Sequence, residues 1–353
     1  MRGVVFLGGR DLDLLEFEDP TPGEFDVVLA TKASGMCGSD LRKYRLPKPT
    51  DGSLPSLIPG HKPSGPTVAG HEIAGVIAAV GSKVDPRLAS VGDRVMVHHY
   101  QGCTQCNHCH AGWQQLCQEV PVKVYGGNAN GGHAPFVKVP ANTIVKLHDD
   151  LSFEAGAAIS CGTGTAYAAL RRMEMKGGTT LAVFGQGPVG LSATQLAKAM
   201  GSRVIALDIS DERLQKAKEL GADEVINPSD TDEIEAIKEL TGGRFAEYTL
   251  DTSGTAAGRK SAIRSTGVWG TMGFVGEGGE VTVDVSGDLL RRQLNLVASW
   301  TFSTVLQSEC AEFVVDRKLD IGHLFTDRWA LEDASLAYRK FDNQTSGKGV
   351  FLF

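Results

Sequence analysis

The sequence predicts an α/β protein of two domains, a doubly wound parallel sheet joined to an irregular β-rich fold. Three observations carry that expectation. From Phe153 onward, strand-like and helix-like runs alternate at βαβ spacing. Residues 1–150 show instead short alternating runs broken by Gly and Pro. A length of 353 residues suits two domains of ordinary size.

The N-terminal MRGVVFLGGRDLDLLEFEDP reads as strand, turn and strand. It lacks the pattern of a secretory signal. No run approaches the roughly 18 apolar residues of a membrane span, and the cytoplasm is the expected compartment. DVVLATKASG, EIAGVIAAVG, DRVMVHHY and APFVKVP follow as strand candidates. Between the first two lies RLPKPTDGSLPSLIPGHKPSGPTVAG, whose Pro and Gly content predicts a long surface loop. Farther on, TTLAVFG reads as a buried parallel strand and PVGLSATQLAKAMG as a helix ending at glycine. RVIALD, DERLQKAKELGA, DEVIN, DTDEIEAIKELTGG and AEYTLDTSG continue the alternation. After Ala298 the pattern loosens, and the C-terminal segment is expected to fold back on the first domain. The expected division is 1–152 with 299–353 as one domain and 153–298 as the other.

Composition narrows the function. Hydrophobic residues at 42% and charged residues at 22% allow a packed core. The 43 glycines follow no Gly-X-Y period and suit tight turns and ligand loops. A net charge of −7 supplies no basic excess for a phosphate backbone, so no nucleic-acid partner is expected. Four of the seven cysteines fall in GCTQCNHCHAGWQQLC, at Cys103, Cys106, Cys109 and Cys117. In a reducing compartment, disulfides explain them poorly. The short gaps turn successive thiolates toward one centre, and four thiolates complete a closed, structural zinc site. His108 and His110 are possible substitutes. A redox pair or an iron–sulfur cluster is the competing reading.

Cys37 in ASGMCGSDL, His71 and Glu72 in GHEIAGV, and Cys161 in AAISCGTGTAY are each weak signals. Together they offer three zinc ligands with an open fourth position, a catalytic pattern. CGSD, GHE, the cysteine lobe, GDRV and GQGPVG together resemble the zinc-dependent medium-chain alcohol dehydrogenases, over nearly the whole chain. The resemblance implies a GroES-like catalytic domain, an inserted Rossmann domain and an active site between them. Carried over by position, Cys37, His71 and Cys161 would bind the catalytic zinc, with Glu72 near the metal as an exchangeable ligand or a structural carboxylate. Glu154 is the candidate third ligand if this chain follows relatives with a carboxylate there, although Cys161 fits the pattern better. Asp40 would accept a hydrogen bond from the far nitrogen of His71. Ser39 would begin a proton relay, unless it caps the following helix. Arg42 stands where many relatives end that relay with histidine, and Gly38 where some place a base.

Gly185, Gly187 and Gly190 form G-x-G-x-x-G between a strand and a helix, with Pro188 and Val189 inside the motif. The glycines permit a tight turn and let the backbone approach a pyrophosphate at the helix N-terminus. Asp208, ending the next strand, would hold ribose hydroxyls and repel a 2′-phosphate, which favours NAD over NADP. A helix N-cap is its competing role, which Asp211 fills equally well. Arg213 weighs the other way, though in the family that position accompanies NAD. By the resemblance, Thr165 would lie near the nicotinamide. The expected reaction moves hydride between NAD and an alcohol or carbonyl compound, the alcohol being secondary or a polyol, with two zinc ions per chain. Tyr100, Trp300 and Phe302 are candidate pocket residues, and the Arg45–Gly70 loop a candidate cover. Strands near GGEVTVDV and NLVASW are candidates for a homodimer or homotetramer contact. A zinc-free enoyl or quinone reductase of the same fold, and a non-catalytic NAD-binding protein, are the alternatives.

Overall fold

The computed structural model describes residues 1–51, 53–55, 65–343 and 347–353. The chain forms two compact units, Met1–Cys161 with Phe302–Phe353, and Gly162–Thr301. Residues 52 and 56–64 of the loop expected to cover the site lie outside the described residues.

The first unit opens with a hairpin, β1 (Arg2–Gly8) and β2 (Asp11–Glu16). β3 (Asp26–Gly35) leads into a short helix, α1 (Gly38–Tyr44), and β4 (Glu72–Val80) and β5 (Arg94–Val97) follow. A lobe holds β6 (Tyr100–Gln101), α2 (Asn107–His110) and β7 (Lys123–Val124). β8 (Phe136–Pro140), β9 (Ile144–Lys146) and α3 (Phe153–Ile159) complete this segment. The second unit runs α4 (Gly162–Arg172), β10 (Thr180–Phe184), α5 (Pro188–Ala199), β11 (Arg203–Leu207), α6 (Asp211–Glu219) and β12 (Glu224–Ile226). It continues through α7 (Glu233–Leu240), β13 (Ala246–Asp251), α8 (Ala256–Ser265), β14 (Thr266–Phe274) and β15 (Asn295–Ala298). The chain then returns to the first unit with α9 (Thr304–Asp316), β16 (Phe325–Trp329), α10 (Ala334–Asp342) and β17 (Lys348–Leu352).

The six strands of the second unit pair in the order β12-β11-β10-β13-β14-β15, all parallel. That order is a doubly wound sheet that starts in the middle and is built outward both ways, which defines an α/β dinucleotide-type fold. Four consecutive residues of β10 are buried, as expected for a strand covered on both faces. Ala182, Phe184, Ile205, Leu207 and Ile226 pack with Ile237 and Ile263 in one core.

The larger sheet of the first unit runs β16-β17-β3-β4-β5-β9, with β8 paired to β3. The β3–β4 register shifts twice, between Val28 and Leu29 and between Thr31 and Ala33. Such irregularities bend a strand and re-aim its end, and here that end leads to Cys37. One core gathers Val27, Leu29, Ile73, Ile77, Val95 and Val137. A second gathers Phe6, Met36, Tyr44, Tyr338, Phe341 and Phe351.

Two positions differ from expectation. The seams fall at Cys161/Gly162 and Thr301/Phe302 rather than at 152/153 and 298/299. The reason for the first shift is α3, which packs on β3 and β4 and so belongs to the first unit. GGEVTVDV is not a strand. Gly278 and Gly279 both take positive φ, which breaks the extended run, and Val281 and Val283 pack against the core of the second unit.

Candidate active site

Cys37, His71, Glu72 and Cys161 converge, each offering one ligand atom, all within 4.8 Å of one another. Local structure explains the placement. Cys37 is the N-cap of α1, fixed by its N–H donating to Asp40 Oδ2 at 2.9 Å. His71 and Glu72 stand at the start of β4, and Cys161 follows the C-cap of α3. The two sulfurs lie 3.9 Å apart. Two thiolates on one tetrahedral zinc, each at about 2.3 Å, would stand about 3.8 Å apart. Sulfur and imidazole donors at this spacing therefore fit zinc. Glu154 lies elsewhere, its Oε1 2.6 Å from Arg328 Nε.

Asp40 Oδ1 lies 3.0 Å from His71 Nδ1, and Ser39 Oγ lies 3.4 Å from His71 Nε2. Ser39 is inside α1 and does not cap it. Arg42 is exposed in the last turn of that helix. A hydrogen bond from Cys161 draws the Cys37 thiol well below its usual range, and the same bond, together with burial, raises Cys161. Burial disfavours charge on His71, but Asp40 and Cys37 outweigh it and raise the imidazole. Burial pushes Glu72 up to about 8 against the pull of Lys348. Lys348 Nζ donates to Glu72 Oε1 at 2.7 Å and to the Met36 carbonyl at 3.1 Å. Sequence reading missed this lysine, since one cation in the run KGVFLF carries no mark of a partner far along the chain. It also missed His99, whose Nδ1 lies 3.1 Å from the Ser160 carbonyl and whose ring lies 4.8 Å from that of His71.

Cys103, Cys106, Cys109 and Cys117 form a second cluster with ligand atoms within 4.8 Å. The Cys103 and Cys109 sulfurs are 3.8 Å apart, again the spacing of two thiolates on one zinc. Backbone N–H groups of Gln105 and Cys106 point at Cys103 Sγ, at 3.4 and 3.2 Å. The Cys103 N–H does the same for Cys117 Sγ and helps to draw that thiol down to about 6. His108 and His110 are not in the cluster.

In the second unit, Gly187 is the N-cap of α5 and Pro188 its first residue, followed by Val189. No atom lies within 4 Å of where a Gly187 side chain would begin, which leaves an open cradle at a helix N-terminus. A Cβ on Gly190 would overlap the carbonyl oxygen of Gly185, so the turn requires glycine there. Asp208 follows β11, and its carboxylate accepts from the N–H groups of Gln186 at 2.6 Å and Ser210 at 3.0 Å. Arg213 NH1 is 3.7 Å away. Ser210, not Asp208 or Asp211, caps α6. Thr165 is buried in α4. Tyr100 and Phe302 pack around His98, whereas Trp300 is half-exposed and donates to Glu277.

A doubly wound parallel sheet with a glycine turn, and a β-rich unit with a thiol–imidazole–carboxylate cluster, define the class as a dehydrogenase. Residues 23–149 match the family model described as alcohol dehydrogenase GroES-like domain, and residues 188–317 the one described as zinc-binding dehydrogenase. An uncharacterised zinc-type alcohol dehydrogenase-like protein of Escherichia coli is 38% identical over 357 residues, covering 100% of this chain and 99% of its own. The sorbitol dehydrogenase of Bacillus subtilis is 30% identical, covering 96% of this chain and 93% of its own. The structure of an alcohol dehydrogenase from Thermus sp. ATN1 matches with a TM-score of 0.88 at 26% identity, covering 100% of this chain and 99% of that one. The chain belongs to the zinc-dependent medium-chain alcohol dehydrogenase family. It is an oxidoreductase that takes a small-molecule substrate and a nicotinamide dinucleotide. Among the described residues, no helix is long and apolar enough to cross a membrane.

Proposed function

We propose that the chain oxidises a secondary alcohol or polyol with NAD, holding two zinc ions. The observation that carries this reading is the 3.9 Å separation of the Cys37 and Cys161 sulfurs, in one cluster with His71 and Glu72. Cys37, His71 and Cys161 would hold the catalytic zinc, with Glu72 as an exchangeable neighbour. Cys103, Cys106, Cys109 and Cys117 would hold a closed structural one. When bound, zinc supplies Lewis acidity to the substrate oxygen and NAD accepts the hydride.

The side chains do the rest. Asp40 keeps the His71 proton on Nδ1 and leaves the Nε2 lone pair for the metal. Ser39 takes the first outgoing proton at Oγ and, with Arg42 in place of a histidine, passes it to water. Gly185, Gly187, Pro188, Val189 and Gly190 cradle the pyrophosphate. Asp208 accepts from the ribose hydroxyls and disfavours a 2′-phosphate, with Arg213 steadying the carboxylate. Thr165 stands by the nicotinamide. A sorbitol dehydrogenase among the relatives supports a polyol substrate. Among the described residues β15 is the edge of its sheet, with Leu296 exposed, which supports a homodimer or homotetramer.

The test is reduced-nicotinamide absorbance with primary alcohols, secondary alcohols and polyols, using NAD and NADP, before and after chelation. Chelator-sensitive NAD reduction by polyols or secondary alcohols is expected. Turnover that survives removal of all zinc would overturn the reading.

A further inference from the structure

A string of buried polar groups leads away from His71 through residues outside the zinc set. The Tyr338 hydroxyl lies 3.3 Å from Asp40 Oδ2, across 298 positions of sequence. His133 Nε2 lies 2.8 Å from the Tyr338 oxygen, and Ser34 Oγ lies 2.7 Å from His133 Nδ1. Ser34, His133 and Tyr338 are all 0% exposed. Buried polar groups must find partners, and these find them in one another.

Chemistry fixes the direction of every proton in the string. The Asp40 carboxylate offers acceptor oxygens, and His71 Nδ1–H and Tyr338 O–H both donate to it. The Tyr338 oxygen then accepts from His133 Nε2–H. His133 Nδ1 accepts from the Ser34 hydroxyl. The reverse order would have Tyr338 donate to His133. It would leave the Tyr338 oxygen facing Asp40 Oδ2 as two acceptors 3.3 Å apart in a buried pocket. A dry pocket penalises that arrangement. Burial, with His71 adding to it and Asp40 opposing, keeps His133 neutral at neutral pH, its pKa held down to about 4.

We propose that Tyr338 and His133 are positioning residues for His71: their hydrogen bonds hold the Asp40 carboxylate and, through it, the Nδ1–H tautomer of the imidazole. This rests on the zinc reading given above. The fold is shaped for the string. Gly70, immediately before His71, has φ +88, and a Cβ there would overlap the ring of His133. The Tyr338 ring is held edge-on by Phe6, with centroids 4.9 Å apart and planes at 80°. A tyrosine that merely filled this core would need its ring and not its hydroxyl.

The first test needs no variant. Long-range proton–nitrogen correlation spectra of the ¹⁵N-labelled wild-type protein should show His133 as the Nε2–H tautomer and His71 as Nδ1–H. His133 found as Nδ1–H would overturn the proposal. The second test is Tyr338→Phe, which keeps the ring. His133 should move toward Nδ1–H, donating to Ser34. The affinity of the zinc that Cys37→Ser removes should fall about tenfold, the low end for an outer partner acting through another group. Ser34→Ala, which leaves the Tyr338–Asp40 bond in place, should hold that zinc as the wild type does. Unchanged zinc affinity in Tyr338→Phe overturns the proposal while leaving the zinc reading intact. A wild-type protein with no zinc sensitive to Cys37→Ser overturns both.

Discussion

Lys348 Nζ lies 2.7 Å from Glu72 Oε1, joining residues 276 positions apart with both side chains buried. Removing one partner of such a pair leaves the polar atoms of the other without a match in a dry site. Lys348→Met should therefore destabilise the zinc-loaded protein by on the order of 3 kcal/mol. Adding Glu72→Gln should recover part of the loss. A double-mutant cycle on denaturant midpoints measures the coupling, and additive losses would show that the contact contributes nothing.

The two thiol clusters should respond differently to the loss of one sulfur. Cys37→Ser should lose one zinc and lower kcat at least about a thousandfold, with the fold largely kept. Cys106→Ser should lose the other zinc and lower the melting temperature. Zinc content by atomic emission, set beside circular dichroism, separates the two outcomes.

Asp208→Asn should raise KM for NAD about tenfold, the worth of a hydrogen bond to a charged acceptor, and leave kcat nearly unchanged. Discrimination against NADP should relax in parallel, because the repelling charge is gone. Steady-state kinetics with both dinucleotides checks this. Unaltered preference would transfer the choice to other residues.

Acid should weaken the fold before it reaches the carboxylates. Burial holds His98 and His133 down to about 4 from an ordinary 6.5, with the Gln115 side chain opposing at His98 and Asp40 opposing at His133. Between those values the unfolded chain binds the protons and the folded chain does not, so stability is lost as pH falls from 6.5 to 4. Each residue contributes about 3 kcal/mol to that loss. Denaturant midpoints at successive pH values should decline across this window, and less steeply in His98→Asn.

Much of the fold was legible because its signals are local. TTLAVFG and RVIALD are buried on both faces in the sheet and are apolar for that reason. The lobe cysteines lie close in sequence because one small loop must present four sulfurs to one centre. Lys348, Tyr338 and His133 were not legible. They meet Glu72 and Asp40 only through tertiary packing, and a lone polar residue in an apolar run does not announce its partner. GGEVTVDV misled because its alternation is that of a strand, while paired glycines at positive φ carry it past the sheet.

The first unit is drawn from two separated stretches, Met1–Cys161 and Phe302–Phe353. During synthesis, the ribosome therefore delivers the whole of Gly162–Thr301 before β17 exists. The inserted unit has everything it needs to fold while translation continues. The outer one must wait, with Glu72 lacking its counter-ion and Asp40 its tyrosine, until the late strand and helix emerge. A nascent chain stalled before Ala334 should thus protect the parallel sheet from protease and leave the β-rich unit open.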